Sequence, residues 1–120
     1  MGWLPTPILE SLLELKKSRP AAVTAHTAGI KMVFASDAGV FTHGRNAGEF
    51  AEYVRAGLTP MQAIETATVN AAAVLGLLAE SGTLEAGKRA DLIALDADPL
   101  KDVRALETVR TVICAGERVL

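Results

Sequence analysis

The chain has 120 residues, with 12 Lys+Arg against 14 Asp+Glu and a net charge of -2; half of it is hydrophobic and only 4% aromatic. That balance excludes a disordered chain, which needs low hydrophobicity and high charge, and it gives no basic footprint for nucleic acid. The length allows one small α/β unit but not a complete (β/α)8 barrel, which takes at least about 200 residues.

The single cysteine, Cys114, excludes an internal disulfide framework and a CxxC metal knuckle. It lies in the apolar run Thr111-Val112-Ile113-Cys114 and reads as a small buried hydrophobe. No secretory signal and no apolar stretch of membrane-spanning length is visible, so a cytoplasmic setting without membrane contact is expected.

Pro5 and Pro7 predict an extended start, because the residue before a proline avoids the helical region. Ile8, Leu9, Leu12 and Leu13 then recur at helical spacing. A second helix is predicted over 21–28, ending at Gly29 and carrying His26 as a structural residue. The run Ile30-Lys31-Met32-Val33-Phe34-Ala35 predicts a strand buried on both faces, with Lys31 snorkelling or paired.

Asn46, with Glu49 three residues on, predicts a capped helix that presents Phe50, Tyr53, Val54 and Leu58 on one face. Thr59-Pro60-Met61-Gln62 is a second helix start: a cap, a proline in the first turn and a glutamine at the third position. Asn70 starts or restarts a helix that breaks near Gly76. From Gly82 the pattern changes to strands, expected at 82–84 and 90–96, and a hairpin around Ala115-Gly116-Glu117. Asp91 and Asp96 read as strand-end or turn residues. The expected organisation is a β/α part over 1–80 and a small β part over 81–120.

Ser36-Asp37 at the end of the predicted strand is the sharpest chemical feature, since α/β folds deliver catalytic groups at the carboxyl ends of buried strands. A carboxylate there can ligate a metal, accept a proton from an attacking water, or simply cap the loop. Gly39 and Gly44 have the spacing of a phosphate loop, but Arg45-Asn46 stands where that loop needs Lys then Ser or Thr. His43 in this loop is either solvated or functional. Arg45 either clamps a substrate carboxylate with its planar fork or pairs with Glu49 or Glu52.

Three segments resemble a known family. Residues 29–46, GIKMVFASDAGVFTHGRN, resemble the eighth-strand region of the metal-dependent amidohydrolases, in the imidazolonepropionase-like and Xaa-Pro dipeptidase-like branch. Residues 56–72 resemble the helices that follow, and residues 82–100 resemble the tail that returns to a small β-sandwich. Residues 3–7 resemble the end of the seventh strand.

The resemblance implies the C-terminal part of a (β/α)8 barrel followed by strands of a β-sandwich. It implies a hydrolase of carbon–nitrogen bonds acting on a small amide or dipeptide, with a divalent metal, zinc by analogy. Asp37 would be metal ligand and general base, with His43, Arg45 and Asn46 at the substrate. The family's other ligands are an H-x-H pair, a lysine or glutamate, and two further histidines. This sequence has only His26 and His43 and no H-x-H. The chain alone is therefore expected to be inactive, with one matched metal ligand of its own; the alternative is a non-catalytic fragment or subunit that associates with a complementary chain or with itself.

Overall fold

The computed structural model describes residues 21–36 and 43–120. Helix α1 covers 21–27 and turns at 28–29, as the sequence predicts. Residues 30–36 run on without a strand ladder among the described residues, which corrects the expected strand. Their burial alternates: Met32, Phe34 and Ser36 are half-buried, while Lys31, Val33 and Ala35 are exposed. The segment thus keeps the period of two of an extended chain, but only one face is covered. It is not buried on both faces.

The covering layer is helical. A 3-10 turn, Asn46–Gly48, leads into α2, Glu49–Arg55; α3 is Pro60–Ala67 and α4 is Val69–Val74. The start of α3 follows from its sequence. The Thr59 hydroxyl accepts from the Gln62 backbone N–H at 3.2 Å, and the Gln62 side chain accepts from the Thr59 N–H at 2.8 Å. Two otherwise orphaned helix donors are satisfied in this way. The expected cap at Asn46 is not formed: α2 starts with Gly48 at its cap and no side-chain cap bond. The Asn46 amide is engaged elsewhere.

The core is small. Ala56, Leu58, Ala63, Thr66, Ala72 and Val103 are its buried members. Thr66 satisfies its buried hydroxyl by donating to the Ala63 carbonyl at 2.6 Å. A second 3-10 turn, Val103–Glu107, packs against α2 and brings Val103 into this core.

The C-terminal part holds an antiparallel three-stranded sheet in the order β1-β2-β3: β1 is Leu92–Leu95, β2 is Val109–Cys114 and β3 is Glu117–Arg118. Leu92 pairs with Ile113, and the register shifts between Ala94 and Leu95, which leaves Arg110 as the bulged residue. Its guanidinium reaches the Asp96 carboxylate at 2.5 Å. Asp91 accepts the Ala115 N–H at 2.7 Å. Both aspartates are therefore turn and strand-end residues, as read from the sequence. Cys114 is exposed at the end of β2 and not a buried hydrophobe.

Residues 82–84, expected as a strand, form none: 82 and 83 lie in a bend and 84 carries no regular structure. Lys88 accounts for this. Its ammonium donates to the Leu78 carbonyl at 2.7 Å and the Thr83 hydroxyl at 2.6 Å, and pairs with Glu85 at 2.8 Å. The Thr83 hydroxyl in turn donates to the Glu85 carboxylate at 2.5 Å, and the bonds from Lys88 and then Thr83 hold that carboxyl below its usual range. A loop gathered around one ammonium cannot also lie flat in a ladder.

Candidate active site

The site is built around the carboxyl end of the 30–36 segment, and the helices position that segment along its length. The Asn70 side-chain amide donates to the Met32 carbonyl at 3.0 Å. The Phe34 N–H donates to the Thr66 carbonyl at 3.0 Å. The Phe34 ring lies 4.5 Å from Phe50 and meets Tyr53 edge-on at 5.8 Å. The Tyr53 hydroxyl meets the Ala35 backbone, and burial pushes its phenol above the usual range. At the end, Asn46 donates to the Ser36 hydroxyl at 2.7 Å. These contacts stand where ladder bonds would stand in a sheet.

Asp37 lies outside the described residues. Of the remaining sequence-derived site residues, His43 and Arg45 are exposed in the loop ahead of the 3-10 turn. Arg45 has no ion pair among the described residues, and Glu52 is paired with Arg55. Asn46 is turned inward onto Ser36. The structure thus joins Asn46 to the end of the segment and leaves His43 and Arg45 free to meet solvent or a ligand.

Glu49, in the first turn of α2, has its carboxyl raised above the ordinary carboxylate value, first by burial and then by the neighbouring Glu52. Sequence reasoning missed Tyr53, Thr66 and Asn70 as anchors. Tyr53 was legible only as part of an apolar face. Asn70, a lone amide in an alanine-rich helical stretch, was the one available signal.

An open hollow lies at the other end of the segment, between α1 and α3, lined by His26, Lys31, Gln62, Glu65 and Asn70 among others. Lys31 and Ser36 are five residues apart, roughly 16 Å along an extended chain, so this hollow lies away from the Ser36 end, though it shares Asn70 and Thr66 with the anchors of the segment. Among the described residues no group of three His, Cys, Asp or Glu side chains is placed to hold a metal ion. The described residues therefore do not by themselves fit a catalytic zinc, which takes three protein ligands and an open position. No helix among them is long and apolar enough to cross a membrane.

The sequence profile of the amidohydrolase family matches residues 7–119, and the chain belongs to that family. Imidazolonepropionase of Thermoplasma volcanium is 30% identical over 115 residues, 91% of this chain and 28% of that protein. The crystal structure of a Xaa-Pro dipeptidase with methionine bound in its active site is similar with a TM-score of 0.82 and 39% identity, covering 83% of this chain and 25% of that one. A prolidase complexed with N-methylphosphonate-L-proline is similar with a TM-score of 0.78 and 30% identity, covering 84% and 26%. The chain spans about a quarter of the length of these relatives.

Proposed function

We propose that this chain is the C-terminal part of a metal-dependent hydrolase of carbon–nitrogen bonds, acting on an amide, a non-standard peptide or a cyclic amide. Hydrolase relatives and the family match over 7–119 support the reading. The observation that carries it is the anchored segment 30–36, held by Asn70, Thr66, Tyr53 and Asn46, which runs directly into Asp37. A carboxylate following a fixed backbone can be presented repeatedly in one place, which proton transfer needs.

In this reading the Asp37 carboxylate accepts a proton from the water that attacks the carbonyl carbon. It then delivers a proton to the nitrogen as the C–N bond breaks. His43 and Arg45 face the substrate, with Arg45 offering two parallel donors to a carboxylate. Asp37 would also be this chain's ligand to a divalent metal, zinc by family resemblance, with the other donors coming from outside the described residues. A metal ion held there would supply Lewis-acid polarisation of the carbonyl and a lower pKa for the attacking water.

The test is hydrolysis of Xaa-Pro dipeptides and cyclic amides by the complete polypeptide that contains this chain. Asp37→Asn is expected to lower kcat at least about 10²-fold. Equal rates in Asp37→Asn and wild type would refute the reading.

A second reading is favoured by one observation. The outer face of 30–36 is uncovered, with Lys31, Val33 and Ala35 exposed, and the segment has no ladder partner among the described residues. Such an edge is a template for pairing, and the chain would then be a non-catalytic subunit that associates with a complementary chain. A single monomeric species in sedimentation, with a cooperative melt, would count against that reading.

A further inference from the structure

The hollow between α1 and α3 has a volume of about 370 Å³, within the range of sites that take small molecules. Its wall carries charges of both signs. Lys31 supplies an ammonium, and Glu65, half-buried on α3, supplies a carboxylate. Neither forms an ion pair with the other or with any described residue. The His26 ring, half-buried near the end of α1, also has no side-chain partner among the described residues.

Two amides complete the wall, and each is fixed in orientation by its partner. The Gln62 oxygen accepts the Thr59 N–H at 2.8 Å, so its NH2 group is left over as a donor. The Asn70 NH2 group donates to the Met32 carbonyl at 3.0 Å, so its Oδ1 is left over as an acceptor. The apolar part of the wall is Met32 and the buried Leu58. Opposite charges line one hollow unmatched, and each has an oriented amide of the same hydrogen-bonding sense in the same wall. A guest that answers both must itself carry both charges.

We propose that this hollow binds a small aliphatic α-amino acid as its zwitterion. The ligand's carboxylate meets the Lys31 ammonium and the Gln62 NH2 group, with His26 offering a further N–H. Its ammonium meets the Glu65 carboxylate and Asn70 Oδ1, and its side chain lies against Met32 and Leu58. Charge-assisted bonds are the strong ones, and amides held in place beforehand lower the cost of ordering on binding. The site is built from described residues alone and is independent of the reading of Asp37.

The test is titration of L-valine into the 15N-labelled 120-residue chain. Isovalerate, which lacks the ammonium, and isobutylamine, which lacks the carboxylate, probe each charge separately. L-Valine should move the Lys31, Glu65 and Asn70 amide signals saturably while the signals of β1 and β2 stay in place. Each one-charge analogue should bind at least about tenfold more weakly, and Glu65→Gln and Lys31→Met should each weaken L-valine by a similar factor.

A folded chain, with β1 and β2 signals dispersed, that shows no saturable shift at tens of millimolar L-valine would overturn the proposal. Isovalerate binding as tightly as L-valine would also overturn it, since the hollow would then be a simple anion site. So would an L-valine affinity unchanged in both variants.

Discussion

The Asn70 amide and the Met32 carbonyl, 38 residues apart in the chain, are joined by a 3.0 Å hydrogen bond. This contact ties α4 to the extended segment near its start, as Asn46 does at its end. Asn70→Ala removes the donor and leaves a part-buried carbonyl without that partner, which costs about 1–3 kcal/mol. The melting temperature should fall by several degrees, and amide exchange at 31–34 should speed up relative to the β1–β2 pair. An unchanged melt would show that the bond contributes nothing to the docking of the segment.

Gly82 is the one described glycine at which an added Cβ would meet a neighbour within 4 Å. A Cβ placed there would stand 2.6 Å from the Ala72 Cβ and 3.2 Å from the Thr68 carbonyl oxygen, and the residue has φ +94. Gly82→Ala therefore combines a steric clash with a left-handed backbone that an L side chain resists, the latter alone worth roughly 1–2 kcal/mol. Adding Ala72→Gly relieves the nearest contact but not the backbone strain. The double variant should melt between the single Gly82→Ala variant and the wild type, measured by circular dichroism.

The β2–β3 hairpin turns on Ala115 and Gly116, with φ of 51 and 85. Two consecutive positive φ values are the mark of the tight turn that favours Asn-Gly. Ala115 is the one non-glycine described residue in that region. Ala115→Asn should stabilise the chain by about 0.5–1 kcal/mol, while the bond from its N–H to Asp91 is kept. A lower melting temperature would contradict the turn assignment.

Glu49 gives a pH dependence of definite sign. Its carboxyl is raised above 4.5, chiefly by burial and then by Glu52. The folded state therefore holds the proton more tightly than the unfolded state. The resulting contribution to stability is complete below the unfolded pKa and is lost as pH rises through the folded value. Glu49→Gln, which stays neutral, should gain melting temperature relative to wild type as pH goes from about 4 to 7. A difference that shrinks over that range would reverse the sign.

Local rules made much of the helical layer legible. Thr59-Pro60-Met61-Gln62 specifies its own capping box, and Ala115-Gly116 its own turn, because both depend on residues adjacent in the chain. The errors share one cause, competition from partners that a reading of each segment by itself leaves out. Residues 30–36 have the composition of a strand, yet a ladder needs neighbouring strands, and here α3, α4 and Asn46 supply the contacts. Asn46 reads as a cap with Glu49, but its amide is drawn to Ser36 and Gly44. Residues 82–84 read as a strand, but Lys88 gathers them into a bend. Of the candidate site, Asp37, His43, Arg45 and Asn46 were visible as a motif. The anchors Tyr53, Thr66 and Asn70 were not, because their role exists only once the helices lie on the segment.

The central proposal is that Asp37 is one ligand of a metal site whose other donors lie outside the described residues. Elemental analysis of the purified 120-residue chain, after dialysis against metal-free buffer, tests it most directly. The account predicts zinc far below one equivalent per chain. One tightly held zinc per chain, retained through dialysis, would contradict it and show that these residues build a complete site of their own.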